Sequence, residues 1–250
     1  MRVFLTLVRR ELGATFKSLT GYVVIAASLW LTGLAVMDLI GWLNNRPTDA
    51  PLAELFYQST YFWVILLVVT PVITMRTFAA ERSTGTYEAL MTTPVGEWEV
   101  VLAKFAGALV FYLLTWLPLL GVLLALRRVT GEVLVLDPLV TSVAFVGVTL
   151  VGSVYLALGL FASSLTRSQI IAAMTAFLMG IALWMAGIRP PAADGLRGGL
   201  GRALEQVSLV RQMEDFARGV LDSRHVVFCV TMTVLFLFLT QRVVEGRRWK

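Results

Sequence analysis

Few residues in this sequence can do chemistry, and most enzymatic reactions lack a complete set among them. There is one cysteine, Cys229, and one histidine, His225. That is too few for a disulfide within one chain or for a Cys/His zinc site. The lysines are Lys17, Lys104 and Lys250; none follows a glycine, and no Gly-x-x-x-x-Gly-Lys-Ser/Thr occurs. The chain therefore has no P-loop with which to cradle ATP. A His/carboxylate set for a membrane metalloprotease is also missing. What remains is the chemistry of docking. The segment from Phe78 to Glu99 mixes charged and apolar residues at helical spacing and is broken by Gly85, Pro94 and Gly96. It reads as a short helix, a glycine break, and a second short helix ending at Thr93-Pro94. Tyr87, Leu90 and Met91 are suited to fill a groove on a partner, with Glu81, Arg82 and Glu88 pairing at its rim. The alternative is a solvated loop carrying an interfacial helix.

The elements that must position this segment are set by the spacing of charge. Hydrophobic residues make up 58% of the 250 and charged residues 15%, with a mean hydropathy of +0.79. A soluble domain carries about 25% charged residues, so the plausible solvent is the bilayer. Between Lys17 and Asp38 lie 20 uncharged residues, between Glu54 and Arg76 21, and between Lys104 and Arg127 22. Asp137 to Arg167 encloses 29, Arg167 to Arg189 21, and Arg224 to Arg242 17. A helix needs roughly 20 apolar residues to cross the hydrocarbon. Backbone polar groups in lipid must be satisfied within the segment, which makes these windows helices. The expected fold is all-α and polytopic, one transmembrane domain over 1–250 with spans at 20–40, 57–76, 101–126, 138–163, 168–188 and 225–242.

Residues 1–18 are expected to form an amphipathic interfacial helix, because Phe4, Val8, Leu12 and Phe16 recur every four residues with Arg2, Arg9 and Lys17 largely opposite. The long apolar core of the first span and the charged stretch before it do not fit a cleaved signal. With the N-terminus inside, 12 cations and 6 anions fall in the cytoplasm, against 9 cations and 10 anions outside. That asymmetry favours both termini in the cytoplasm. The basic residues lie between apolar runs rather than on one face, so they report orientation and not nucleic acid. The 78–97 segment is then cytoplasmic, between spans two and three, and 189–224 is external, between spans five and six. The external connection opens with Pro190-Pro191 and a glycine cluster. It then turns helical with Leu209, Met213, Phe216 and Val220 on one face, either on the outer leaflet or packed over the bundle. Asp38, Arg76 and Lys104 lie near span ends, where they are expected to reach the interface; no carboxylate or basic residue lies at mid-membrane depth. Pro71, Gly107 and Pro118 serve either bending or packing.

The pattern Glu81-Arg82-x-x-Gly85-Thr86-x-Glu88-x-Leu90, then Thr93-Pro94-Val95 and Lys104, resembles the ABC-2 family of membrane permeases. The resemblance implies that this segment is a coupling helix seated in a cleft of a separate P-loop ATPase subunit. It implies Glu81, Arg82, Gly85, Thr86, Tyr87, Glu88, Leu90, Met91 and Pro94 as partner-binding residues. It further implies two permeases, identical or paralogous, over two ATPase subunits in a bacterial cytoplasmic membrane. ATP and magnesium would act through the ATPase, with no cofactor bound by this chain. A second set of residues is similar to the gliding-motility-associated permease subfamily: Phe216-x-Arg218-Gly219-Val220-Leu221-Asp222-x-Arg224, Phe236-Leu237-Phe238-Leu239-Thr240 and Arg247-Arg248-Trp249.

The expected function is thus an ATPase-driven export permease. Two other classes compete: a self-contained secondary transporter or channel, and a non-transport membrane scaffold. Proton- or ion-coupled transporters carry buried ionisable relays, and their absence from the spans weighs against the first of these. The spans offer Thr, Ser, Tyr and Trp without a charged pocket, which favours an amphipathic, lipid-linked or mechanically extracted cargo.

Overall fold

The computed structural model describes residues 2–45, 52–85, 96–130, 137–187 and 208–246, and among these every element is helical. In chain order they are α1 (Arg2–Phe16), α2 (Leu19–Asn45), α3 (Leu52–Gln58), α4 (Thr60–Thr74) and α5 (Ala79–Ser83). There follow α6 (Glu97–Thr130), α7 (Pro138–Leu165), α8 (Gln169–Gly187), α9 (Leu209–Ala217) and α10 (Ser223–Gly246). Six stretches are long and apolar enough to cross a membrane: Leu19–Leu43, Thr60–Ser83, Glu97–Arg128, Pro138–Leu165, Gln169–Gly187 and Ser223–Gly246.

The long α7 is the centre of the bundle. In its span 72% of residues are buried, against 17% in α8, and it touches α4, α6, α8, α9 and α10. Its start is written locally: Asp137 has extended backbone, its carboxylate accepts from the Leu139 amide at 2.9 Å, and Pro138 occupies the first turn. Its interior is glycine-rich where partners come closest. A Cβ on Gly147 would lie 2.5 Å from Phe216 of α9, on Gly152 2.2 Å from the Tyr112 ring of α6, and on Gly159 2.2 Å from Thr74 Oγ1 of α4. Three helices therefore approach α7 at small residues placed around it, the packing expected where lipid gives no hydrophobic drive between helices.

The second span begins later than the charge window suggests. Ser59, in extended backbone, separates α3 from α4, and its hydroxyl donates to the Phe56 carbonyl at 2.6 Å. Phe56 and Tyr57 are thereby turned onto Phe62, Trp63 and Trp116, forming edge-on rings with centroids 5.1 to 6.3 Å apart. The Glu54 carboxylate on α3 meets Arg218 Nε at 3.0 Å, tying this corner to the residue that follows α9.

Helix α9 packs over the bundle. Leu209, Met213 and Phe216 are buried, while Val220 is 53% exposed and lies beyond the helix. The cause is a glycine stop: Gly219 has φ +81, its amide returns to the Phe216 carbonyl at 3.0 Å, and the Val220 amide returns to Asp215 at 2.9 Å. That is the double bond of a Schellman motif, which swings the following residue off the helical face. At the other end the Ser208 hydroxyl accepts from the Arg211 amide at 3.3 Å and donates to the Gly187 carbonyl at 2.8 Å. It caps α9 and satisfies the end of α8 together. Ser208→Ala should lower stability by about 1 kcal/mol, read as a lower thermal-unfolding midpoint in detergent; an unchanged midpoint would refute the capping role.

Candidate functional site

The segment singled out by sequence begins with α5, at the end of the bundle where α1, the start of α6 and the last turn of α7 meet. Its Phe78 and Ala79 amides, which no helical carbonyl can reach, donate to Ser163 Oγ at 3.2 and 3.1 Å. The same hydroxyl donates to the Met75 carbonyl at 3.2 Å. One buried serine of α7 thus receives the whole start of α5. Arg82 Nη1 donates to the Ser164 carbonyl, among the last carbonyls of α7, where a cation also meets the negative end of the helix dipole. After Ser83 the helix stops at Gly85, φ +72, a backbone conformation that costs glycine nothing. Thr86, Tyr87, Glu88, Leu90, Met91 and Pro94 lie outside the described residues.

Lys104 holds the segment from the other side. Although it lies near the start of α6, it does not extend to an interface as its position suggests: only 2% of the residue is exposed. Its ammonium donates to Glu81 Oε1 at 2.8 Å, to Glu11 Oε1 at 3.2 Å and to the Thr77 carbonyl at 2.8 Å. All three N–H donors of a lysine are then used. The Phe78 ring lies 5.3 Å from the nitrogen. Arg10 completes the cluster, its Nη2 at 2.9 Å from Glu11 and 3.4 Å from Glu81. Two cations face two carboxylates, so the buried lysine is neutralised locally rather than by water.

Helix α1 reaches this cluster because α6 lets it in close. A Cβ on Gly107 would lie 3.0 Å from Glu11 Cβ, so this glycine is a packing device. Four residues on, Phe16 meets Phe111 edge-on at 5.4 Å. The Phe4, Val8, Leu12 and Phe16 stripe is half-buried, with Leu12 and Phe16 packed on the core.

Sequence reasoning found Glu81, Arg82 and Gly85, but missed Glu11, Arg10, Ser163 and Ser164. One signal was available for Glu11: it is the sole carboxylate in the first 37 residues, set in a basic stretch. The serines carried none, since serine occurs throughout the spans. The four residues of the cluster come from α1, α5 and α6, and Arg82 adds the end of α7. The arrangement performs no bond chemistry; it makes the start of the 78–97 segment one mechanical piece with three other helices. Among the described residues, no group of three or more His, Cys, Asp or Glu side chains is placed to hold a metal.

Residues 22–199 match the model of a family described as ABC-2 family transporter protein. No curated protein matches the chain.

Proposed function

This chain belongs to the ABC-2 family of transporter proteins, and from that premise we propose that it is the permease subunit of an exporter driven by a separate P-loop ATPase. It is a multi-pass membrane protein with six apolar helices. The ATPase docks on the 78–97 segment, with Tyr87, Leu90 and Met91 entering its groove and Glu88, Thr86 and Pro94 shaping the contact. Glu81 works from inside the chain, as a strut between the docked segment and Lys104.

The observation that supports this most is the anchoring of α5. A loop that only connects two spans has no need of a buried lysine, a serine collecting its first two amides and an arginine on the end of the central helix. A loop that receives force does. When ATP and magnesium close the ATPase pair, displacement of the segment carries α1, α6 and α7 together. Pairing with a second permease, identical or paralogous, rests on the family resemblance, and apolar faces that otherwise meet lipid are uncovered in the single chain. Tyr22, Trp30 and Met37 on α2 are 60%, 67% and 71% exposed, and Ile170 and Leu178 on α8 are 72% and 63% exposed. The charge asymmetry supports both termini in the cytoplasm, the family resemblance supports a bacterial cytoplasmic membrane, and the subfamily resemblance leaves the cargo open.

The test is purification of the full chain from its own membrane, followed by identification of what co-elutes. A P-loop ATPase in near-equal amount is the expected result, and Tyr87→Ala/Glu88→Ala should lose it by about tenfold or more, since contacts of this kind contribute over 1 kcal/mol each. Recovery of the chain alone, or undiminished ATPase with the double variant, rejects the docking reading.

A further inference from the structure

Beside the ion cluster, α1, α2 and α4 line an open-sided cavity of about 310 Å³. Its polar corner holds Arg76, Arg10, Ser18 and Thr20. The two carboxylates that also border it, Glu11 and Glu81, are engaged by Lys104 and Arg10. Arg76 is different. Its Nη1 donates to Ser18 Oγ and, at 2.8 Å, to Thr20 Oγ1, and among the described residues these neutral hydroxyls are its partners. The two hydroxyls are themselves 2.7 Å apart. A guanidinium has five N–H donors, and Arg76, which lines the cavity and is exposed, has donors to spare for a ligand there. The N-terminus of the 27-residue α2 lies at the same corner; its Thr20 and Gly21 amides return to Ser18, and the helix dipole leaves partial positive charge there. One turn deeper along each helix the lining becomes apolar, with Val24 on α2, Ile73 on α4 and Phe111 on α6.

A net positive corner over an apolar floor, at the end of helices that cross a membrane, matches an anion that carries a hydrocarbon tail. We propose that this cavity binds an anionic phospholipid of the bilayer, its phosphate on Arg76 at the positive end of the α2 dipole and its chain along Val24, Ile73 and Phe111. Arginine suits phosphate because its planar fork matches the oxygens two at a time. The bound lipid completes a wall that α1, α2 and α4 leave open. The inference stands on this cavity and does not depend on the ATPase reading.

The experiment uses the full chain in mixed micelles with equal amounts of phosphatidylglycerol and phosphatidylcholine, and native mass spectrometry to count retained lipid. The wild-type protein should retain phosphatidylglycerol over phosphatidylcholine by about fivefold, the weight of one cation against anionic lipid. Arg76→Gln should abolish that preference, and Arg242→Gln, at an exposed pair on α10, should keep it. Inorganic phosphate should leave the retained lipid in place. No preference in the wild type, an undiminished one in Arg76→Gln, or full displacement by phosphate each overturns the proposal, the last by assigning the corner to a soluble anion. A measurement without variants guards against a folding defect. Phosphatidylglycerol with a photoreactive acyl chain should label peptides containing Val24 or Ile73, and labelling confined to other helices would refute the site.

Discussion

Lys104→Met should be the most damaging single change at the α1 end of the bundle. The substitution keeps the length and apolar body of the side chain and removes only the ammonium. Glu11 and Glu81, both bonded to that nitrogen through Oε1, then lose it, and Arg10, which also meets both, has a side chain about half exposed. Removing one partner from a buried ion pair typically costs about 3 kcal/mol, because the remaining charge stays desolvated. The expected result is a clear fall in the thermal-unfolding midpoint in detergent, together with loss of any ATPase recovered with the chain. Neutralising the stranded acids as well, in Lys104→Met/Glu11→Gln/Glu81→Gln, should restore much of the stability, since the charge left there, on Arg10, is about half exposed and is solvated by water. Arg242→Gln provides the contrast: its pair with Glu245 is exposed and should be worth well under about 1 kcal/mol. Equal midpoints for Lys104→Met and the wild type would remove the cluster from any structural role.

The second large effect belongs to the centre of the bundle. Gly152→Ala adds one methyl group, at a point 2.2 Å from the Tyr112 ring. Tyr112 has nowhere to go: it is fully buried, its hydroxyl donates to the Val148 carbonyl at 3.3 Å, and Trp116 stands edge-on at 6.0 Å. The added atom must push α6 and α7 apart, at a cost of about 1–3 kcal/mol or more. Gly121→Ala is the matched control, because a Cβ there meets nothing within 4 Å. It should be neutral or slightly stabilising, since alanine is the better helix former. Gel filtration and thermal melting of the two variants in one detergent would check the difference, and equal behaviour would show that the α6–α7 approach does not matter.

The helical, six-span character of the chain was legible in the sequence because it depends on one coarse quantity. Charge-free stretches of 17 to 29 residues cannot be solvated by water, and lipid forces their backbones into helices. The break at Ser59 was not legible, since nothing in Gln58-Ser59-Thr60 is charged and the window runs straight through it. The reach of the α9 face was misjudged by one residue, Val220. Helical spacing continues across Gly219, whereas its positive φ ends the helix before that residue.

At the candidate site the division follows range. Glu81, Arg82 and Gly85 were found because they sit within a few residues of one another in a polar island between apolar runs. That they belong to a docking element is an inference from local composition and family resemblance. Where Lys104 spends its charge is a different kind of fact. It depends on Glu11, 93 residues away in sequence, and on a glycine at 107 that lets α1 approach. Likewise Ser163 becomes the anchor of α5 only because two helix ends, 85 residues apart, arrive at one place. The sequence alone determined the solvent, the helical character, the number of spans and the absence of a P-loop, since each follows from residue types counted along the chain. Only the tertiary structure decided which charges neutralise one another and which remain open, as at Arg76. Burial makes pairing obligatory, and partners are chosen by distance in space rather than along the chain.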